Sequence, residues 1–369
     1  MKKRITTQSP KRKMAHAEER ITIGLDLGDK TSRYCVLDSD GKVVQEGSVG
    51  TTRKAMLDKF ARVQRCRIAM EVGTHSPWLS RLLGQVGHEV IVANARQVQL
   101  ISASSRKDDR VDAETLARLA RVDPQLLRPI RHRSEEAQKH LTVVRIRATL
   151  VEGRTMLVNS ARGLAKAIGE RLPSCDTDYV NVETAANLSA EVRRMLKPLL
   201  EEVESLTKKI KQLDEEIEQI ARTEYPETEL LKQVKGVGTL IALTFVLTVE
   251  DRERFEKSRD VGCYVGLRPK RSESGERDPQ LGISKEGDMY LRKLLVQGAH
   301  CILSRRGADS DLKRWGLKLA GRGGKNAKKR AVTAVARKLA ILLHRLWVTG
   351  EVYEPLRNSG AEEASKAAA

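Results

Sequence analysis

The heptapeptide Ile21-Thr22-Ile23-Gly24-Leu25-Asp26-Leu27 alternates apolar and other residues with a period of two, the pattern of a strand that buries one face. Ile21, Ile23, Leu25 and Leu27 fall on one side and Asp26 on the other, so the strand carries a carboxylate at its centre or end. Downstream, Tyr34 to Leu37 and Val43 to Val49 flank the turn signal Asp38-Ser39-Asp40-Gly41, and the three segments read as an antiparallel meander. A helix is expected from about Thr52 to Gln64. Arg67-Ile68-Ala69-Met70 then reads as a short strand ending at Glu71, with Gly73, Thr74 and Pro77 leading into a second helix and 89 to 93 forming a further strand.

The octet Arg106-Lys107-Asp108-Asp109-Arg110-Val111-Asp112-Ala113 opens the next helix, because Ala113, Leu116, Ala117, Leu119 and Ala120 recur at helical spacing. Asp109 and Asp112, three apart, share a face near its N-terminus. Acids in a first turn also suit the helix dipole, so the pair alone decides nothing. Together with Asp26 and Glu71 it does, since a meander followed by alternating helices and strands, with acids at these places, is the layout of a ribonuclease-H-like α/β domain. Phosphodiester chemistry uses such a cluster because hard Mg²⁺ ions take oxygen ligands, and two ions about 4 Å apart can stabilise both the attacking and the leaving oxygen. Asp26, Glu71, Asp109 and Asp112 would supply those ligands. Ile23-Gly-Leu-Asp-Leu-Gly-Asp-Lys-Thr-Ser also resembles the first phosphate loop of sugar kinases and actin-like ATPases. Against that reading stand the 109/112 pair and the lack of a second Gly-rich phosphate loop and an adenosine loop at a comparable position.

Charge narrows the partner. The 369-residue chain has 68 Lys and Arg against 49 Asp and Glu, a net charge of +19, with 3% aromatic residues. Such a field favours a polyanion bound through salt-dependent phosphate contacts, and the scarcity of aromatics argues against a base-stacking platform as the main mode. Cys35, Cys66, Cys175, Cys263 and Cys301 are scattered, without zinc or disulfide spacing, which fits a reducing cytoplasm. Residues 1 to 20 begin Lys2-Lys3-Arg4 and reach Lys11-Arg12-Lys13 with no apolar stretch between, so they read as a disordered basic arm and not a signal peptide. The longest apolar run, Leu240 to Val249, is too short to cross a bilayer, and no membrane partner is expected.

After Pro124 and Pro129 a long helix is expected from Ser134 to about Leu172. A second carries Leu196, Leu199, Val203, Leu206, Ile210, Leu213, Ile217 and Ile220, a heptad seam that reads as a coiled coil, within one chain or between chains, and Pro198 marks a helix start or kink. Leu230 to Ala242 places Gly236 and Gly238 between two apolar helical patterns, resembling a helix-hairpin-helix whose turn lets backbone N–H groups approach a phosphate; a plain helix turn has the same pattern. Next come Gly266-Leu-Arg-Pro-Lys-Arg-Ser-Glu-Ser-Gly275 and Leu281-Gly-Ile-Ser-Lys-Glu-Gly-Asp288. Ser272, Ser274 and Ser284 lie there among Arg268, Lys270, Arg271, Arg277, Lys285 and Arg292. Serines in basic loops are common, but this set also suits a serine nucleophile on a phosphodiester with cations neutralising the developing charge. No His stands nearby in sequence to activate it. Gly321 to Arg330, before an apolar helix from Ala331 to Trp347, reads equally as a nucleic-acid clamp and as a solvated loop.

The ordered set resembles the DEDD family of insertion-sequence transposases, the bridge-RNA-guided serine recombinases, over roughly residues 21 to 350. The resemblance rests on Ile-Gly-Leu-Asp26, Met-Glu71-Val-Gly-Thr, Lys107-Asp-Asp-Arg-Val-Asp-Ala-Glu, Val237-Gly-Thr to Phe255, Tyr264-Val-Gly-Leu-Arg-Pro, Glu-Ser274-Gly and Ile283-Ser-Lys-Glu-Gly-Asp. It implies a RuvC-like domain at 21–130 whose metal ligands are Asp26, Glu71, Asp109 and Asp112, with Asp108 an extra carboxylate beside them. It further implies a mainly α domain at 223–350 with Ser274 as nucleophile; the heptads mark a helical coiled-coil assembly region at 131–222, and a tail is expected at 351–369. Mg²⁺, donor and target DNA, a noncoding bridge RNA, self-association as a dimer or tetramer, and a bacterial, nucleoid-associated cytoplasmic setting follow from the same resemblance. Two other readings stay open: a Mg-dependent nuclease or junction resolvase that uses water, and a non-catalytic nucleic-acid-binding assembly factor.

Overall fold

A computed structural model describes residues 21–94, 109–270 and 281–358, Asp109 through its backbone alone. The basic arm, Lys107, Asp108, Arg271, Ser272, Ser274, Arg277 and the chain from 359 onward lie outside the described residues. The chain divides into two compact units, Met1–Arg133 and Ser134–Ala369.

In the first unit the strands are β1 (Thr22–Asp26), β2 (Thr31–Leu37), β3 (Val43–Gly50), β4 (Arg67–Glu71) and β5 (Glu89–Ala93). Their order in the sheet is β3-β2-β1-β4-β5. β1 to β3 pair antiparallel, as the meander predicts, while β1, β4 and β5 run parallel. Helices α1 (Arg53–Phe60) and α2 (Ser76–Gln85) cover one face, where Ile23, Leu25, Ile68 and Met70 pack with Met56, Phe60 and Leu79. α1 begins where expected, with Thr52 as its cap accepting from the Ala55 amide at 3.3 Å, but the helix stops at Phe60, short of Gln64. Phe60 is fully buried and has to turn inward there, before the chain enters β4.

The other face holds α3 (Asp109–Val122), whose Leu116 and Ala120 meet Ala69, Ile91 and Ala93, and whose Ala113 and Ala117 meet Cys35 and Leu37. The approach is closest at Gly24. A Cβ built there would lie 1.8 Å from the Ala113 carbonyl oxygen and 2.7 Å from the Ala117 amide nitrogen, so the helix backbone rests on the strand where glycine leaves room. Gly24→Ala is expected to cost roughly 1–3 kcal/mol, the range for overpacking a tight contact. Thermal circular dichroism would show a lower melting temperature, and an unchanged one would contradict the contact.

The second unit begins with α4 (Glu135–Ala167) and α5 (Ala190–Glu224), which run antiparallel against each other. Ala161 and Ala165 pack with Leu196 and Leu200 near one end, and Leu141 and Val144 with Ile217 and Ile220 near the other. The Arg147 guanidinium grips Asp214 through two bonds of 2.8 and 3.2 Å. The heptad seam of α5 is thus filled within the chain by α4. Helix α4 ends before the expected Leu172 because Gly169 takes a left-handed φ of 87° and closes the C-terminus. Helix α5 starts earlier than its heptads, at the Ser189 cap, and holds Pro198 inside it.

Beyond it, α6 (Thr228–Lys232), α7 (Thr239–Val249), α8 (Val261–Tyr264), α9 (Met289–Leu303), α10 (Asp311–Ala320) and α11 (Ala327–Thr349) surround a core in which Phe245, Val246, Leu295, Leu339 and Leu343 are fully buried or nearly so. Helix α7 is buried along almost its whole length, which explains why its sequence is apolar on every side. Among the described residues no helix is long and apolar enough to cross a membrane.

Candidate active site and serine-loop base

Asp26 ends β1 and Glu71 ends β4, one residue past the parallel pair Leu25 and Met70, so the two carboxylates follow in register on neighbouring strands. Side chains alternate along a strand, which places Asp26 with Gly24, and Glu71 with Ala69, on the face that carries α3. Asp112 immediately precedes Ala113, the residue lying on Gly24. The close packing at Gly24 is therefore what brings the α3 acid toward the strand acids. Asp109 opens the same helix one turn earlier. Gly24 is a residue the sequence reading passed over; its signal was a glycine in the interior of a buried strand.

Burial first, and then the charges of Asp26 and Asp112, hold the Glu71 carboxyl above its ordinary range. Its Oε1 is buried without a hydrogen-bond partner. Among the described residues no three acid, histidine or cysteine side chains stand within ligating reach of one point, and the Asp109 side chain is not in that set. The orphaned Glu71 oxygen, with the Asp26 and Asp112 carboxylates near it, is the type of ligand that hard divalent cations take.

The loop after Glu71 is fixed from within. Ser76 Oγ donates to the Gly73 carbonyl at 2.9 Å and accepts from the Gly73 amide at 3.0 Å. With that hydroxyl proton committed, His132 Nε2, at 2.8 Å, donates to the same oxygen. Burial, with Arg81 and Arg133 nearby, lowers the His132 pKa to about 4, so the ring is neutral in this role.

The raised pKa of Glu71 has a stability consequence. An acid whose folded-state pKa lies above its unfolded value favours the fold at low pH, and that contribution is lost as pH rises through the shifted value. Glu71→Gln is therefore expected to melt a few degrees higher than wild type at neutral pH in metal-free buffer. A lower melting temperature for the variant would contradict the crowding of the three acids.

In the second unit the segments flanking the serine loop pair with each other. Pro269 bridges Ile283, the Lys270 amide donates to the Gly282 carbonyl at 2.9 Å, and the Ser284 amide donates to the Arg268 carbonyl at 2.9 Å. Gly266 (φ 71°) and Gly287 (φ 82°) lock the base: a Cβ on the first would lie 1.9 Å from the Glu286 carbonyl oxygen, and one on the second 2.0 Å from the Tyr264 carbonyl oxygen. Arg292 ties the same base, donating from Nη1 to the carbonyls of Val265 and Glu286, both at 3.0 Å. Desolvation there holds its pKa below the ordinary arginine value. Arg292, expected among phosphate contacts, thus spends part of its guanidinium on backbone. Arg268, Lys270 and Lys285 are exposed, whereas the Ser284 Oγ is buried without a partner.

At the α6–α7 turn, Gly236 (φ 99°) faces α9, where a Cβ would meet Ile302 Cγ1 at 3.0 Å. Gly238 is exposed and caps α7, with Thr239 Oγ1 donating to Glu218 Oε2 at 2.9 Å beside it. Of the two glycines only Gly238 has open space around it, and a carboxylate stands near that helix end.

Comparison with known proteins bears on both units. A family profile of DEDD transposases of the IS110 type matches residues 23–169, and a second, described as a transposase of the IS116/IS110/IS902 family, matches residues 228–313. The transposase for insertion sequence element IS1111A of Coxiella burnetii is 29% identical over 344 residues, covering 90% of each chain. A probable family 20 transposase of Pseudomonas aeruginosa is 28% identical over 341 residues, 90% of this chain and 98% of that one. The transposase for insertion sequence element IS1328 of Yersinia enterocolitica is 26% identical over 287 residues, 77% and 84% of the two chains. With one profile on the acid-bearing sheet and the other across the serine-loop base, the chain belongs to the IS110 family of insertion-sequence transposases.

Proposed function

We propose that this transposase cuts and rejoins DNA through a covalent intermediate on Ser274, with Asp26, Glu71, Asp109 and Asp112 binding Mg²⁺ and a noncoding bridge RNA selecting donor and target sites. What supports the reading is the placement of Asp26 and Glu71 at neighbouring strand ends, on the face packed by the helix that bears Asp112, near enough for the charges of Asp26 and Asp112 to raise the Glu71 carboxyl. The strand order β3-β2-β1-β4-β5, antiparallel then parallel, supports the ribonuclease-H-like, RuvC-like assignment.

In the proposed step Ser274 Oγ attacks a backbone phosphorus, the new O–P bond forms as the P–O3′ bond breaks, and the serine proton ends on the departing 3′ oxygen. Rejoining reverses the step with a different 3′ hydroxyl, so bond energy is conserved in the phosphoserine. Mg²⁺, when bound, would offset charge on the phosphoryl and leaving oxygens. Exposed Arg268, Lys270 and Lys285 at the loop base would hold the strand by its phosphates, together with Arg271 and Arg277. The acids and the serine belong to different compact units, which suits a dimer or tetramer in which one subunit's acids serve another's serine. The helical region at 131–222 would serve this assembly, on DNA in the nucleoid of a bacterial cytoplasm.

The test is strand cleavage by purified protein with Mg²⁺, its RNA, and labelled donor and target duplexes. Asp26→Asn and Asp112→Asn are each expected to lower the rate by about 10²–10³-fold, the scale of removing one preorganised charge-stabilising group, while gel-shift binding persists. Unchanged recombination by both variants would favour a non-catalytic assembly factor.

A further inference from the structure

A cleft of about 970 Å³ lies in the second unit between the serine-loop base and one face of α11. One wall is largely apolar and comes from the paired segments: Leu267, Pro269, Leu281 and Ile283. The other is basic. Lys329, Arg330, Arg337 and Lys338 line it in two rungs along α11, with Thr333 and Ala334 between them. Lys329 and Arg337, like Arg330 and Lys338, are eight residues apart, roughly 12 Å along the helix at 1.5 Å per residue. Lys270 and Lys285 add charge from the loop base, and among the described residues lining the cleft there is no carboxylate.

Three local features set this charge apart. Lys328, Lys329 and Arg330 crowd the first turn of α11, which has no acidic residue and no side-chain cap, although the helix dipole disfavours cations at that end. The Nε of Arg337 is buried without a hydrogen-bond partner. Lys285 also holds a left-handed φ of 58°, a costly conformation outside glycine that recurs at ligand sites.

We infer that this cleft is a binding slot for single-stranded nucleic acid, with phosphates on the α11 rungs and an unpaired base against the aliphatic wall of the loop base. The inference rests on the proposed strand-cutting role of the neighbouring serine loop and assigns that reading a place for the unpaired strand. The charge requires a polyanion, and the apolar wall gives nothing to a fully paired duplex, whose bases are stacked inside. Trp315 also lines the slot, with the Lys338 ammonium 3.9 Å from its ring centroid, so its face is covered by a cation that can meet a phosphate. The slot also gives the Gly321 to Arg330 stretch a task that its sequence left open.

Fluorescence anisotropy on the full chain, with fluorescein-labelled 15-mers of oligo-dT and oligo-U and a 15-base-pair duplex, tests this directly. The double variant Lys329→Glu/Lys338→Glu is expected to bind the single strands at least ten-fold more weakly than does the control Lys209→Glu/Lys211→Glu, which has the same net charge change on exposed positions of α5. Duplex binding should differ little between the two. Ala334→Trp, which fills the cleft without changing charge, should weaken single-strand binding as well. Tighter binding of oligo-U would assign the strand to RNA, and tighter binding of oligo-dT to DNA. Equal losses for single strand and duplex, or single-strand affinity unchanged in the double variant and in Ala334→Trp with melting temperatures preserved, would overturn the slot. Covalent trapping on Ser274 in wild type, measured alongside, separates failure of the slot from failure of the serine mechanism.

Discussion

Ser274→Ala is expected to lower strand cleavage by roughly 10⁴-fold or more, the scale of deleting a nucleophile from a catalytic unit whose members act together. The hydroxyl is the group that would hold the phosphoryl between cutting and rejoining, and an alanine offers nothing in its place. Ser272→Ala, two residues away in the same basic stretch, should retain most activity, since the resemblance to the family places the nucleophile within Glu-Ser-Gly. The pair of variants separates a nucleophile from a polar loop residue. A hydrolytic nuclease built on the acids alone predicts a different outcome, in which both variants keep cutting.

Gly266→Ala carries the second large effect. The φ of 71° costs an L-residue roughly 1–2 kcal/mol, and a Cβ only 1.9 Å from the Glu286 carbonyl oxygen adds an overpacking cost of roughly 1–3 kcal/mol. Backbone sits on the other side of that contact, so relief requires the 282–286 segment to move away from 267–270. The expected result is a lower melting temperature and a loss of recombination together, with far-ultraviolet circular dichroism nearly unchanged because the surrounding helices remain. A variant that melts and recombines like wild type would show that this base does not position the serine loop.

Much of this architecture is legible in the residues themselves. The alternation from Ile21 to Leu27, the Asp38 to Gly41 turn and the Arg67 to Glu71 strand have one local reading each, and the sheet forms as they require. The places of Asp26 and Glu71 at strand ends are legible because the strands that carry them are. Contacts across the chain are harder. Nothing near Gly24 in sequence reveals that α3 will lie on it, since the clash that excludes every other residue comes from Ala113 and Ala117. Gly266 and Gly287 likewise are held by backbone far off in sequence, Glu286 for the first and Tyr264 for the second. Arg292 reads as one cation among many until its carbonyl partners are in place. The seam of α5 shows where the limit lies, for the heptads announce a partner helix without saying whether it belongs to the same chain, and α4 supplies it from within.

Trapping the covalent bond on Ser274 is the most direct measurement. Wild type and Ser274→Ala, each incubated with RNA, Mg²⁺ and duplexes labelled on the 5′-phosphate side of the cut, would be denatured and resolved by mass. Label is expected on the wild-type protein, mapping by proteolysis to the peptide that contains Ser274, and none on the variant. Cleaved DNA released free from both proteins, with no label on either, would contradict the serine mechanism and leave a nuclease that uses water.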